Sequence, residues 1–340
     1  MKIYEIDGKK YRLPNEQFDF QLRMYVHLIN WKWAHLTREP GSFKNALYDA
    51  FLPDEFKSQL YPLYRPIKER FLDHQRKFPF KSHLYFGHMA SSQAACANLF
   101  LPLLKDPLIA ARVLSAVKRD IKEIATDYLD TGFRIEFWDE PDNMLNDHNK
   151  ASGTDADIAI AYYDDHGDLN LWLIEHKLTE AEFTTCGGYK SPGHTPSHQC
   201  APASAILDDK TLCYYHSKSN YRYWDITLQD TSPFDADRIR EYKECPFIGG
   251  MNQLWRNQLL ATSLESSTSP NWPYKKVYFS VVHHPRNDSL RPTITEYQNL
   301  IGYNDRFFAF TSDKLINRAI EINEPALNDW VRWYKELYYF

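Results

Sequence analysis

Three charged groups on two apolar segments suggest the first chemistry in this sequence. Asp157 ends the polar run Gly153-Thr154-Asp155-Ala156-Asp157 and opens Ile158-Ala159-Ile160, while Glu175-His176-Lys177 closes Leu171-Trp172-Leu173-Ile174. Both segments read as strands, so alternation puts Glu175 and Lys177 on one face and His176 on the other. Asp164-Asp165-His166-Gly167-Asp168 lies between them as a turn signal, which predicts an antiparallel hairpin. A loop centred on His166 sets Asp157 opposite Glu175, with Cβ atoms roughly 4.5–5.5 Å apart. Carboxylates this close repel and raise a pKa unless a cation lies between them. With a lysine beside them they can hold a divalent ion and an activated water next to a phosphate. The backbone carbonyl of His176 is a further candidate ligand. The plainer account is an Asp at a strand start and a surface Glu-x-Lys pair.

The order Asp, then Glu-x-Lys, on a hairpin resembles the PD-(D/E)xK nuclease superfamily, especially restriction-endonuclease-like bacterial proteins. Ala156 stands where the motif name has Pro. The resemblance covers about residues 86–310 and implies an α/β (α+β) core, a mixed central sheet flanked by helices. It also implies Mg²⁺ or Mn²⁺ as cofactor and DNA as substrate. Ser91-Ser92-Gln93-Ala94, Asn98-Leu99-Phe100 and Gln253-Leu254-Trp255-Arg256-Asn257-Gln258 fit its flanking helices. Similar families place an acid or amide on the first core helix, where Gln93 and Asn98 are the available groups. These two do not share a helical face.

Bulk properties narrow the field. The chain has 340 residues, 43% of them hydrophobic, enough for a large core. No apolar run of about 18 residues predicts a membrane span, and the N-terminus lacks a signal-like apolar region, which predicts a cytoplasmic protein. Five cysteines then meet a reducing compartment, favouring ligation or burial over disulfides. The net charge of −5 counts mildly against non-specific nucleic-acid binding, although local charge is what meets phosphates. A homodimer is left open.

Residues 1–85 read as a helical N-terminal region with apolar stripes over 18–35 and 53–78. A helix is predicted from Ser91, split by Pro102 and Pro107, with a second from Leu108 to Leu129 carrying Lys118, Arg119 and Lys122 outward. Phe133–Trp138 reads as the first core strand. The core continues to about residue 310, with a helix at Met251–Glu265 and a strand at Lys276–Val282, and is interrupted by an insertion at 183–246. C-terminal helices fill 311–340, the last with an aromatic stripe typical of core.

The insertion holds Cys186, Cys200, Cys213 and Cys245, with His194, His198 and His216 among them. With few aliphatic residues, it is expected to gain stability from a structural Zn²⁺ or a [4Fe-4S] cluster. Four packed thiols are the alternative. Cys96 reads as a core thiol. Glu136 and Asp155 are candidates for supporting the metal ligands, and Arg256, Lys118 and Arg119 for contacting phosphate. His283-His284 reads as a strand-end pair. The combined expectation is a metal-dependent DNA nuclease of defence or repair, with Asp157, Glu175 and Lys177 as its catalytic set. Alternatives are an RNA nuclease, or a non-cutting protein that binds nucleic acid or a partner through its insertion.

Overall fold

The computed structural model describes residues 2–14, 17–149, 153–190, 200, 202–302 and 304–340. Before the core come two hairpins, β1 (Lys2–Ile6) with β2 (Lys9–Leu13) and β3 (Gly41–Phe43) with β4 (Ala46–Tyr48). Helices α1 (Asp19–His35), α2 (Asp54–Ser58) and α3 (Lys68–Lys77) lie around them. The N-terminal region is therefore mixed, not simply helical. Asp7-Gly8 between two alternating segments is a hairpin signal that accounts for the first pair. Helix α4 (Ser92–Phe100) begins where Ser91 caps it, accepting from the Ala94 amide at 3.3 Å. Helix α5 (Pro107–Leu114) is capped by Asp106.

The expected extension of that helix to Leu129 does not form. The chain turns after Leu114, and β5 (Glu123–Ile124) pairs instead with the far end of β7 (Ala156–Tyr163). Lys118 drives the change: it pairs with Asp120 and lies 3.6 Å from the Tyr278 ring centroid. A buried cation with those partners outweighs local helix preference.

The central sheet is six-stranded. Strand β7 pairs antiparallel with β8 (Leu169–Lys177), while β6 (Phe133–Phe137) and β5 share its other edge. Strands β9 (Lys276–His283) and β10 (Phe307–Thr311) continue the sheet in parallel. Parallel neighbours need long crossovers. The β8–β9 crossover contains the insertion, with α6 (Ala203–Asp208), α7 (Tyr214–Ser217), α8 (Tyr223–Thr227), α9 (Ala236–Arg240) and then α10 (Met251–Glu265). Helix α11 (Arg291–Ile301) links β9 to β10, and α12 (Asp313–Ile322) and α13 (Asn328–Tyr338) follow.

Both faces are covered, which explains why β9 is apolar over most of its length. Ile158, Ile160, Trp172 and Ile174 pack with residues from α4, α5, α12 and α13. Ala159, Ala161, Leu171 and Leu173 pack with α10, α11 and aromatic residues of the insertion. Tyr223, Trp224, Phe234 and Ile239 put the insertion into this second core, so it is not short of apolar burial. The aromatic stripe of α13 is core, with Trp330, Tyr334, Leu337 and Tyr338 buried. No helix among the described residues is long and apolar enough to cross a membrane.

Candidate active site

The hairpin turns about His166 as the sequence predicts. Tyr163 pairs with Leu169 and Ile158 with Ile174, so one further step sets Asp157 opposite Glu175. The ladder opens there, and Asp157 Oδ2 accepts the backbone amide of His176 at 2.6 Å. A strand residue points its N–H and C=O toward the same neighbour. The His176 carbonyl therefore lies on the Asp157 edge of β8, while its ring lies on the other sheet face, buried and held neutral.

Glu175 is 3% exposed and fully engaged. Its Oε1 accepts from Lys177 Nζ and Gln253 Nε2, both at 2.8 Å, and its Oε2 accepts from Asn257 Nδ2 at 3.0 Å. The two amides come from one face of α10, four residues apart, while Leu254 and Trp255 anchor the helix in the core. The sequence places these amides on a helix flanking the core and assigns them no partner.

Glu136 completes a row of three carboxylates. It falls between the paired residues Ile135↔Ile158 and Phe137↔Ala156, across from Asp157 on the edge opposite Glu175. Its φ of +49° breaks the regular strand. As a result Ile135 and Phe137, which would share a face in a straight strand, pack into different cores. Gln93 from α4 donates to Glu136 Oε1 at 2.8 Å. Of the two helix amides, Gln93 reaches the site and Asn98 does not. Asn98 instead accepts from the Tyr64 amide and donates to Pro62 O and Tyr338 Oη.

The electrostatics follow from burial and charge count. Burial raises Asp157 well above the usual carboxylate range, reinforced by Glu175 and Glu136. Burial, with Asp155 and Glu175, pushes Glu136 up to about 8. Burial alone would lower the Lys177 ammonium, but Glu175, Glu180 and Asp157 outweigh it and hold its pKa above the ordinary value. Lys177 is thus a fixed cation among more acid than it can neutralise. These groups line one cleft of about 670 Å³, with Asp155, Thr179, Glu180 and Arg256 also on its walls. Glu180, which sequence reading passed over, accepts from the Leu178 and Thr179 amides and shapes the turn after β8.

A family model described as "restriction endonuclease associating with ARP" matches residues 26–339. The chain belongs to that family. No curated protein and no solved structure matches it. The mixed sheet flanked by helices is consistent with the restriction-endonuclease-like architecture that this family membership supports.

The remaining candidates of this restriction-endonuclease family member separate by position. Asp155 pairs with His148 at 3.1 Å. The His148 ring stacks on Trp138 at 3.9 Å and fills the space where Gly153 has no side chain. Arg256 donates to Gly153 O, Thr154 Oγ1 and Asn252 Oδ1, fixing the loop that leads into Asp157. Lys118 and Arg119 are not brought to the site. Lys118 lies by Tyr162, five residues along β7 from Asp157, roughly 17 Å at 3.3 Å per residue. His284 is buried, stacks near Phe20 and contacts Tyr338 O, so it serves packing.

Cys186, Cys200 and Cys213 are buried and Cys245 is half-buried. They share a neighbourhood: burial raises the Cys245 thiol, and the other three raise it further. Among the described residues, no group of three or more His, Cys, Asp or Glu side chains is assembled as a site for a metal ion. His194 and His198 lie outside the described residues, and His216 lies near Asp225. Cys96 is a core thiol, as expected.

Proposed function

We propose that this protein is a divalent-metal-dependent nuclease of the PD-(D/E)xK kind that hydrolyses phosphodiester bonds in DNA. The observation that carries this reading is the register. It sets Asp157 across from Glu175 and puts Lys177 on the Glu175 face, all inside one cleft. Three carboxylates, Glu175 buried and Asp157 and Glu136 half-buried, served by a single lysine leave negative charge uncompensated, which suits a hard, oxygen-seeking cation. Asp157, Glu175 and the His176 carbonyl would hold Mg²⁺ or Mn²⁺, which when bound polarises a phosphoryl oxygen and makes water a stronger nucleophile.

The chain's own groups have distinct parts. Gln253 and Asn257 hold both Glu175 oxygens, so that carboxylate keeps its place without ordering on binding. Lys177, kept protonated, orients the attacking water and neutralises charge developing on the phosphate rather than removing a proton. Arg256 positions the loop before Asp157 through its contacts with that loop. The family's description also names an association with ARP; in the reading proposed here the chain works beside that component.

Purified protein should cut DNA with Mg²⁺ or Mn²⁺ and not with EDTA. Lys177→Ala should slow cutting by about 10³-fold while the circular dichroism spectrum is unchanged. Cutting at the normal rate in Lys177→Ala would overturn the assignment. Cleavage of RNA and not DNA would move the substrate, and DNA binding with no cutting in any divalent metal would leave a binding protein.

A further inference from the structure

The cleft has a second wall that the hydrolytic chemistry does not use. Besides the carboxylates, the N-terminal region contributes Tyr25, Phe43, Tyr48, Phe51, Tyr85 and His88 to the lining. Their rings touch in series, one pair stacked and the others tilted or edge-on. Phe43 lies parallel to Phe51 at 4.7 Å, Tyr85 sits 4.9 Å from Phe43, and Phe51 and Tyr25 each meet the His88 ring within 5.0 Å. The series opens outward at Tyr85, which is 48% exposed and follows the still more exposed Leu84. Large apolar side chains left in water beside a cavity mark a surface that a ligand covers.

The wall is built to stay in place. The buried Lys32 ammonium donates to Glu39 O, Asp49 O and Phe51 O at 2.6–2.9 Å, clamping the backbone that bears Phe51. Gly41 lies so close to Leu52 that a Cβ there would come within 2.3 Å of the Leu52 carbonyl oxygen. That contact presses the β3–β4 hairpin, and with it Phe43, onto the Phe51 segment. The wall is also tied to the acidic row: Gln93 accepts the His83 amide at 2.8 Å while donating to Glu136.

We propose that this wall binds the face of an unpaired nucleobase, so that the substrate enters as a single-stranded stretch of DNA. The inference rests on the nuclease reading for the phosphate end of the cleft. Aromatic rings attract bases through their flat faces. Bases inside a duplex have both faces covered by neighbours and offer a side wall only their edges, so stacking requires an unstacked base. A cavity of about 670 Å³ lined by acids, a lysine and these rings accommodates a nucleotide, its phosphate toward the acids and its base on the rings.

Binding can be read separately from cutting. Fluorescein-labelled 20-mers, one single-stranded and one a blunt duplex of the same sequence, are titrated with wild-type protein in Ca²⁺ and followed by anisotropy. A strand carrying 2-aminopurine reports stacking by quenching. The strand should bind at least tenfold more tightly than the duplex and be quenched. Tyr85→Ala should weaken strand binding about tenfold and relieve quenching, in line with loss of one stacked base. Tyr85→Phe should restore both. Tyr85 is half exposed, so the variants should melt with wild type; Tyr85→Leu keeps the bulk without the ring and should behave as Ala does. Duplex binding as tight as strand binding, or strand affinity within twofold of wild type in Tyr85→Ala, overturns the inference. Tyr85-dependent strand binding without any Mg²⁺-dependent cutting would support the wall and sink the nuclease reading. Mg²⁺-dependent cutting indifferent to Tyr85 would do the reverse.

Discussion

Replacing Glu136 with Gln should make the metal-free protein more stable, and increasingly so as pH rises. The Glu136 carboxyl is pushed up from 4.5 to about 8 by burial first, then by Asp155 and Glu175. Its folded pKa is the higher one, so between about pH 4.5 and 8 the folded state holds a proton that the unfolded state has lost. Stability therefore falls as pH rises through that window. Integrated from pH 5 to pH 8, the loss is about 3 to 4 kcal/mol. An unfolding entropy of about 2.1 cal/mol/K per residue makes this about 5 °C in melting temperature for a chain of this length. A Gln at 136 keeps a carbonyl oxygen for the bond from Gln93 and carries no charge. In EDTA, wild type and Glu136→Gln should melt within about 1–2 °C at pH 5, and the variant should lead by about 5 °C at pH 8. Taking the difference between the two proteins cancels the titration of shared groups. Millimolar Ca²⁺ should narrow the gap by stabilising the wild-type acids. A gap that stays constant, or closes as pH rises, would refute the charge-excess argument.

Other perturbations separate structural from chemical roles. Asn98→Ala strips partners from the Tyr64 amide, Pro62 O and Tyr338 Oη, and should cost about 2–4 kcal/mol. Its cutting rate at low temperature should match wild type; a slower rate in folded protein would place Asn98 in the chemistry. The four insertion thiols share one neighbourhood, and we propose that they hold an iron–sulfur cluster, which four thiolates ligate. Protein purified without oxygen should absorb broadly near ~400 nm and carry iron. Finding neither iron nor zinc by elemental analysis would leave four packed thiols.

The hairpin, its register and α10 were legible because local pattern and tertiary need agree there. The turn residues lie symmetrically about His166, and the apolar spacing of Met251–Glu265 matches the observed helix residue for residue. Glu136 shows the limit: its strand was readable, but the left-handed backbone that brings its carboxyl beside Asp157 has no marker in Phe-Arg-Ile-Glu-Phe. The segment after Leu114 failed for another reason. Nothing local ends that helix; the Tyr278 ring, 160 residues later in the sequence, captures Lys118. The aromatic wall was invisible as a unit because its rings come from α1, the β3–β4 hairpin and the loop before α4, and only folding aligns them.

Helix α10 is a shared beam. One side grips Glu175 through Gln253 and Asn257, and another sets Trp255 5.2 Å from both Tyr223 and Trp224 of the insertion and flat against Phe247 at its end, with centroids 4.1 Å apart and rings 3° from parallel. The insertion is consequently no removable ornament on a finished core. Trimming it would strip the packing that seats α10 and let the carboxylate drift, so the two regions should lose amide-exchange protection together, as one cooperative unit. Any event that loosens the cysteine-bearing segment would be felt at the acids as slackening of a support rather than as a blocked entrance.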